Sequence, residues 1–529
     1  MMNLPQVPFF ISPYKEDSGG VDFLGLRQVN LHLIDLFLPG INNVTFYVRP
    51  YALMSWIAWA FREMIGDRDV TRSEFIAFRE KVEILFNWSH QLNDSGAGMA
   101  GNGQVAPHQG EGDISLEFSQ WKRNVSWYDA VNYGPSAKID NGLGFIRQVK
   151  SGVFAVTKSG EKLALALNAS LSKSPAYAIL FNLDYTATTG SIAGTFYDVW
   201  RIDKPSKSES RIFCNSLYDE EAIDQPSPIG RRSTSIKLIL SALRAINKAC
   251  TSDELRRFIA RSSYPFSSEV KSEDSLAEAH ALWRVLQVRQ SHRLAFETIF
   301  GWAEVQILEF GRAHSIEIVE KLLNLIKKKY PDIELNDWIE DQLTAINISK
   351  GEAPTLLIAG TENIAIDIFQ KMHEISEEVD DRDLSVIMAI ETLLLCSEIT
   401  KEFMADPLTK IHARDGGSSR ISLEYWMKFV EGNKSLPFQS FISKVIENFI
   451  LSQHFGVAAA RYSDGKQRLR LSIEEGGIVS MLNNTTEALI PSVTRDRLDT
   501  ILSLMHDAGL LLEEFGEDEL WRYTNTTSL

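Results

Sequence analysis

Three places in the chain bring together side chains that could do chemistry, and each lacks a part that the chemistry requires. Glu269-Val270-Lys271 has the E-x-K spacing with which metal-dependent nucleases hold a divalent cation. It stands in a Ser-rich stretch with no strand to fix it, and upstream acids such as Asp219 and Asp224 are placed by no pattern. His373-Glu374 is followed by Glu377 where a zinc helix needs a second His one turn on, so no metal site forms there. Gly360-Thr361 follows the apolar run 356–359, but no Gly-Lys-Ser/Thr comes after it, which removes an ordinary nucleotide loop. His454 falls on an apolar helical face and reads as a satisfied core residue. Cys214, Cys250 and Cys396 are far apart and form no C-x-x-C pair, which excludes a disulfide framework or a structural zinc site. No cofactor and no catalytic residue is expected. A nuclease resting on Glu269 and Lys271 is the enzymatic alternative.

Charge offers a second kind of chemistry. The chain carries a formal net charge of −16, which excludes a general nucleic-acid coat. Yet residues 121–162 hold seven bases, Lys122, Arg123, Lys138, Arg147, Lys150, Lys158 and Lys162, against three acids, Asp129, Asp140 and Glu161. Phosphate contacts supply most non-specific DNA affinity, so Lys122, Arg123, Lys138, Arg147, Lys150 and Lys158 are the candidate contacts to duplex DNA. A basic wing on a domain that binds only protein is the competing reading. Near the other end, Glu513, Glu514, Glu517, Asp518 and Glu519 form a run that phosphates would repel. Glu513, Glu514, Asp518 and Glu519 are the candidate contacts to a basic partner protein.

The elements that must position these charges are legible in outline. Gly142 and Gly144 are expected to stop a helix at positive φ; Leu143, Phe145 and Ile146 then start a strand, and Ser151-Gly152 turns it back through residues 153–156. Thr157 is placed to cap a helix carrying Leu163, Ala164 and Leu167 on one face. This order resembles a winged helix-turn-helix, and Thr157-x-x-Gly160 before an Ala/Leu helix resembles the end of the wing in many bacterial winged-helix domains. Towards the C-terminus, Pro437 can start a helix through Ile442, Val445, Ile446, Phe449 and Ile450. Asp464-Gly465 is expected to turn a hairpin into Leu469, Leu471 and Ile473. Thr494 is expected to cap a helix through Leu498, Ile501, Leu502 and Met505 that Gly509 stops, and strands over 510–514 and 519–524 complete a second helix-plus-wing.

Elsewhere the pattern is helical. In residues 22–62, Leu24-Gly25-Leu26, Asp35-Leu36, Pro39-Gly40, Arg49, Tyr51 and Trp56 follow one another in a spacing that resembles the start of an uncharacterised bacterial family known only as a domain of unknown function. That resemblance brings no activity with it. Trp56, Trp59 and Ala60 read as core, and Arg49 is expected to pair with Asp35. A second helix carries Phe75, Phe78, Val82, Leu85 and Phe86. Residues 386–396 are apolar nearly all round and should form a central helix. The organisation expected is a helical region over 1–92, a mobile Gly-rich loop over 93–113, a winged-helix domain over 114–170, a connecting segment over 171–233, a helical middle domain over 234–407 and a C-terminal domain with hairpin and acidic winged helix over 408–529. The fold class is therefore mainly α, multi-domain, with two winged-helix units.

The start of the chain shows no targeting leader and no run reaches the ~18 apolar residues of a membrane span, so a cytoplasmic protein without membrane contact is expected. These readings converge on a non-enzymatic DNA-binding and scaffolding subunit of a bacterial multi-protein complex, partnered by other protein subunits, an ATPase or helicase among them. The resemblance at 22–62 implies a role in defence against foreign DNA. Winged helix, helical middle and acidic winged helix in that order also resemble the kleisin subunits that bridge the heads of SMC-type chromosome-organising ATPases.

Overall fold

A computed structural model of the chain describes residues 22–66, 68–93, 99, 101, 115–120, 126–268, 273–331, 335–351, 353, 355–359, 366–378, 380–461 and 468–526. The protein is mainly α-helical, and its strands among the described residues form four two-stranded antiparallel sheets. The chain divides into two compact units, each assembled from three stretches of sequence. The first comprises Met1–Leu33, Arg257–Tyr264 and His280–Thr494; the second comprises Ile34–Arg256, Pro265–Ala279 and Arg495–Leu529.

In the first unit the helix Arg382–Ala405 is buried on nearly every side, as its largely apolar run over 386–396 requires, and the helix Leu423–Asn433 packs along it. The Trp426 indole N–H donates to the Leu393 carbonyl at 2.7 Å, and Trp426 stands edge-on to Phe296 and Phe449. The part of helix Asp274–Phe310 in this unit buries polar side chains as well. Arg289 is fully enclosed and donates to the carbonyls of Arg420, at 2.7 Å, and Ile421. Those bonds hold Ile421 at φ 44°, a left-handed conformation that costs a β-branched residue energy. His454 is a core residue, facing the Phe23 carbonyl at 3.3 Å and receiving the Arg470 N–H at 3.1 Å. Pro437 does precede a helix, which starts at Phe438 and continues through a π-helical turn, Val445–Leu451, into Ser452–Arg461.

Two local expectations fail here. The hairpin pairs Leu471–Glu474 with Gly477–Ser480 and turns at Glu475-Gly476, where Gly476 takes φ 91°. The Asp464-Gly465 step lies outside the described residues. Thr494 does not cap the following helix, because its hydroxyl accepts a hydrogen bond from Arg293.

The second unit is built on the helix Arg49–Ile65, which lies along Lys158–Leu171 and is tied to it by Trp56 Nε1 donating to Asn168 Oδ1 at 2.9 Å. The expected partner of Arg49 is wrong. Arg49 is buried against Glu209 at 3.3 Å and donates to the carbonyls of Val199, at 3.1 Å, and Lys204, whereas Asp35 pairs with Arg497 at 2.6 Å. Leaving either member of the Arg49–Glu209 pair alone in the interior would cost about 3–5 kcal/mol, which explains why a loop after Trp200 is folded in to meet the guanidinium. Residues 171–233, read as a connection, are therefore built into this unit. Trp200, Phe213 and Leu217 are fully buried, and Arg232 donates to the carbonyls of Pro39, Ser216 and Leu217 at 2.7–2.9 Å.

Candidate functional site

The second unit carries both charged features that the sequence singles out. The basic hairpin pairs Ile146–Lys150 with Val153–Val156, and Gly152 makes the turn at φ 75°. Thr157 Oγ1 accepts the Gly160 N–H at 3.1 Å, so the capped helix forms as its sequence requires. Of the two glycines before the strand, Gly144 takes φ 81°, but Gly142 is needed for closeness: a Cβ there would sit 2.2 Å from the Ser136 carbonyl oxygen. The helix in front of the hairpin is a single turn, Gly134–Ala137. Arg147, Lys150 and Lys158 are exposed. Lys138 is half-buried with its ammonium 5.5 Å from the centre of the Phe154 ring. Lys122 and Arg123 lie outside the described residues.

The acidic feature is deeper than the sequence suggests. The helix Leu498–Asp507 follows Arg497, which adopts φ 68°, and its first N–H is met by Asp496 Oδ1 at 3.1 Å, in the role expected of Thr494. Gly509, at φ 78°, ends the turn after it, and Leu511–Phe515 pairs with Trp521–Asn525. The hairpin is fastened to the unit by Cys250, whose backbone exchanges hydrogen bonds of 2.9 and 3.1 Å with Tyr523. Between these elements opens a cavity of about 720 Å³. Its walls include the aromatic rings of Phe46, Tyr47, Trp521 and Tyr523 and six carboxylates, Asp203, Asp253, Asp499, Asp507, Glu513 and Glu519.

These carboxylates differ in how they are neutralised. Asp203 pairs with Arg201 at 2.6 Å, and Arg256 is shared among Asp253, Asp496 at 2.7 Å and, at 3.4 Å, Asp499. Asp507 accepts the Val48 N–H at 2.9 Å, and among the described residues no Lys or Arg nitrogen comes within 4 Å of it. Burial pushes its carboxyl up to about 7, reinforced by Glu513 and Asp203 and opposed by the Val48 N–H and Arg49. Burial raises Glu513 too, while His506, 3.9 Å away, acts in the other direction. Of the four acids named from sequence, Glu513 and Glu519 line the cavity. Asp518 is held by Arg522 at 2.6 Å, and Glu514 points to solvent. Sequence reasoning missed Asp203, Asp253, Asp499 and Asp507, which reach the cavity from separate stretches, and no local pattern marks them.

Among the described residues no group of three His, Cys, Asp or Glu side chains is arranged to hold a metal ion, and no helix is long and apolar enough to cross a membrane. Glu269 and Lys271 lie outside the described residues. No protein-family model matches the chain, and no curated protein or solved structure shows significant similarity to it.

The raised Asp507 carboxyl has a consequence for stability. A group at about 7 in the fold and near 3.8 in the unfolded chain keeps its proton preferentially in the folded state. Its contribution is fully present below about pH 4 and is lost as the pH rises through 7. Asp507→Asn stays neutral at every pH and can still accept from Val48. The substitution is expected to stabilise the protein by on the order of 4 kcal/mol at pH 8, with the gap narrowing towards pH 5. Thermal unfolding of both proteins across pH 5–8 checks this, and a gap that is constant or opposite in sign contradicts it.

Proposed function

We propose that the chain is a non-enzymatic scaffolding subunit that docks a basic segment of a partner protein in the acidic, aromatic-walled cleft of its second unit. The observation that carries this reading is the imbalance in the cleft: six carboxylates line it with no Lys or Arg among the described lining residues, and only Asp203, Asp253 and Asp499 are met by a guanidinium, Arg201 or Arg256. A monomer gains nothing from an under-neutralised cavity, since like charges repel and burial of each costs energy. A basic partner reverses both terms and is steered to the cleft by the field. The rim supports docking as well, because Phe515, Leu520 and Trp521 are each more than half exposed. A photo-crosslinking residue placed at Leu520 in cells is expected to capture segments rich in Lys and Arg, and the same residue at Ile348, exposed in the first unit, is not. Captured segments of neutral or acidic composition would overturn the reading.

A second reading concerns duplex DNA at the basic hairpin. It is favoured by Arg147 and Lys150, both exposed and, among the described residues, with no carboxylate within 4 Å. Arg147→Glu with Lys150→Glu is expected to weaken duplex binding at low salt and to flatten its salt dependence by about one unit of slope per lost contact. Unchanged affinity removes DNA from this hairpin.

A further inference from the structure

The same cleft shows which cation it suits, and the inference rests on the docking reading above. We infer that the inner end of the cleft takes the guanidinium of an arginine side chain presented by the partner segment, between the carboxylates of Asp507 and Glu513 and the rings of Tyr47 and Tyr523. The geometry separates an inner from an outer region. Asp507 and Glu513 are largely enclosed, and neither lies within 4 Å of a Lys or Arg nitrogen among the described residues. The outer acids Asp253 and Asp499 already share Arg256, together with Asp496. In the free protein the inner end is relieved only by Asp507 keeping a proton, and an occupant cation there would take over that role.

Two features select a guanidinium over an ammonium. The carboxylates come with aromatic walls, Phe46, Tyr47, Trp521 and Tyr523, on which a flat and weakly hydrated guanidinium stacks; an ammonium would give up stronger hydration. Asp507 uses one oxygen for the Val48 N–H and Glu513 interacts with the Tyr523 hydroxyl, which leaves the remaining oxygens of two separate carboxylates to a forked donor. The volume, about 720 Å³, exceeds one side chain and accommodates the flanking backbone of a segment, with Leu520 and Trp521 as apolar footing.

The test uses the full chain and three labelled heptapeptides, Gly-Ser-Xaa-Gly-Xaa-Ser-Gly, in which Xaa is arginine, lysine or the neutral isostere citrulline. Fluorescence anisotropy at low salt is expected to rank arginine above lysine and to place citrulline at least about tenfold weaker, the loss of one charge-assisted contact. Asp507→Asn and Glu513→Gln are each expected to weaken the arginine peptide about tenfold, whereas Glu320→Gln, an exposed acid of the first unit, leaves it unchanged. Since Asp507→Asn is expected to stabilise the fold, lost binding in that variant is not lost folding, and thermal unfolding verifies this. Citrulline binding as well as arginine, lysine matching arginine, or full affinity in both cleft variants would each overturn the inference. If those results appear while the crosslinker at Leu520 still captures basic segments, docking stands and the arginine pocket falls. If the captured segments are not basic, the docking reading itself fails.

Discussion

The hydrogen bond from the Val48 N–H to the Asp507 carboxylate is the contact on which the organisation of the second unit turns. Val48 immediately precedes Arg49–Ile65, the helix about which this unit is packed, and Asp507 is the last residue of Leu498–Asp507. A carboxylate at the start of a helix satisfies an orphan amide and complements the positive end of the helix dipole. The bond therefore fixes the C-terminal helix and hairpin against the central helix. It also brings a charge into a place where burial disfavours it. A neutral acceptor would make the same hydrogen bond at lower cost, so retention of an acid is the feature that calls for a functional account, in line with the general trade between stability and binding sites.

Buried charge elsewhere in the protein is treated differently, and the contrast makes the cleft informative. Arg49 has Glu209 and two carbonyls; Arg232 has three carbonyls; Arg289 has two. Glu304 in the first unit is paired with Arg470 and also receives the Leu489 N–H at 2.7 Å. In each case the chain supplies partners that offset desolvation. Only around Asp507 and Glu513 does an enclosed, acid-rich region of the described structure open to solvent through a rim of exposed apolar rings.

Much of the fold was legible because the signals are local. The helix over 386–396 follows from an apolar run with no polar face; the basic hairpin follows from Ser151-Gly152 between apolar strands; Thr157 caps because the next helix begins one residue later. The failures have a common cause in tertiary contacts that a local pattern does not contain. Thr494 has the right type and place for a cap, but Arg293 claims its hydroxyl and Asp496 takes over. Arg49 has an acid nearby in sequence, Asp35, yet meets Glu209 because the intervening chain folds back over it. The acidic run at the C-terminus was visible, and Glu513 and Glu519 from it line the cavity, but the residue with the largest electrostatic consequence, Asp507, stands in an ordinary amphipathic helix with nothing in its neighbours to mark it.

The central claim is that Asp507 is a charge held in waiting for a cation. Carbon-13 NMR of the full chain labelled at aspartate side-chain carboxyls, with Asp507→Asn used to assign the signal, measures it directly. The account predicts a titration midpoint near neutrality in the free protein that moves down by a unit or more when the arginine heptapeptide is bound. A midpoint in the ordinary carboxylate range in the free protein, or one near neutrality that bound peptide leaves in place, would contradict it.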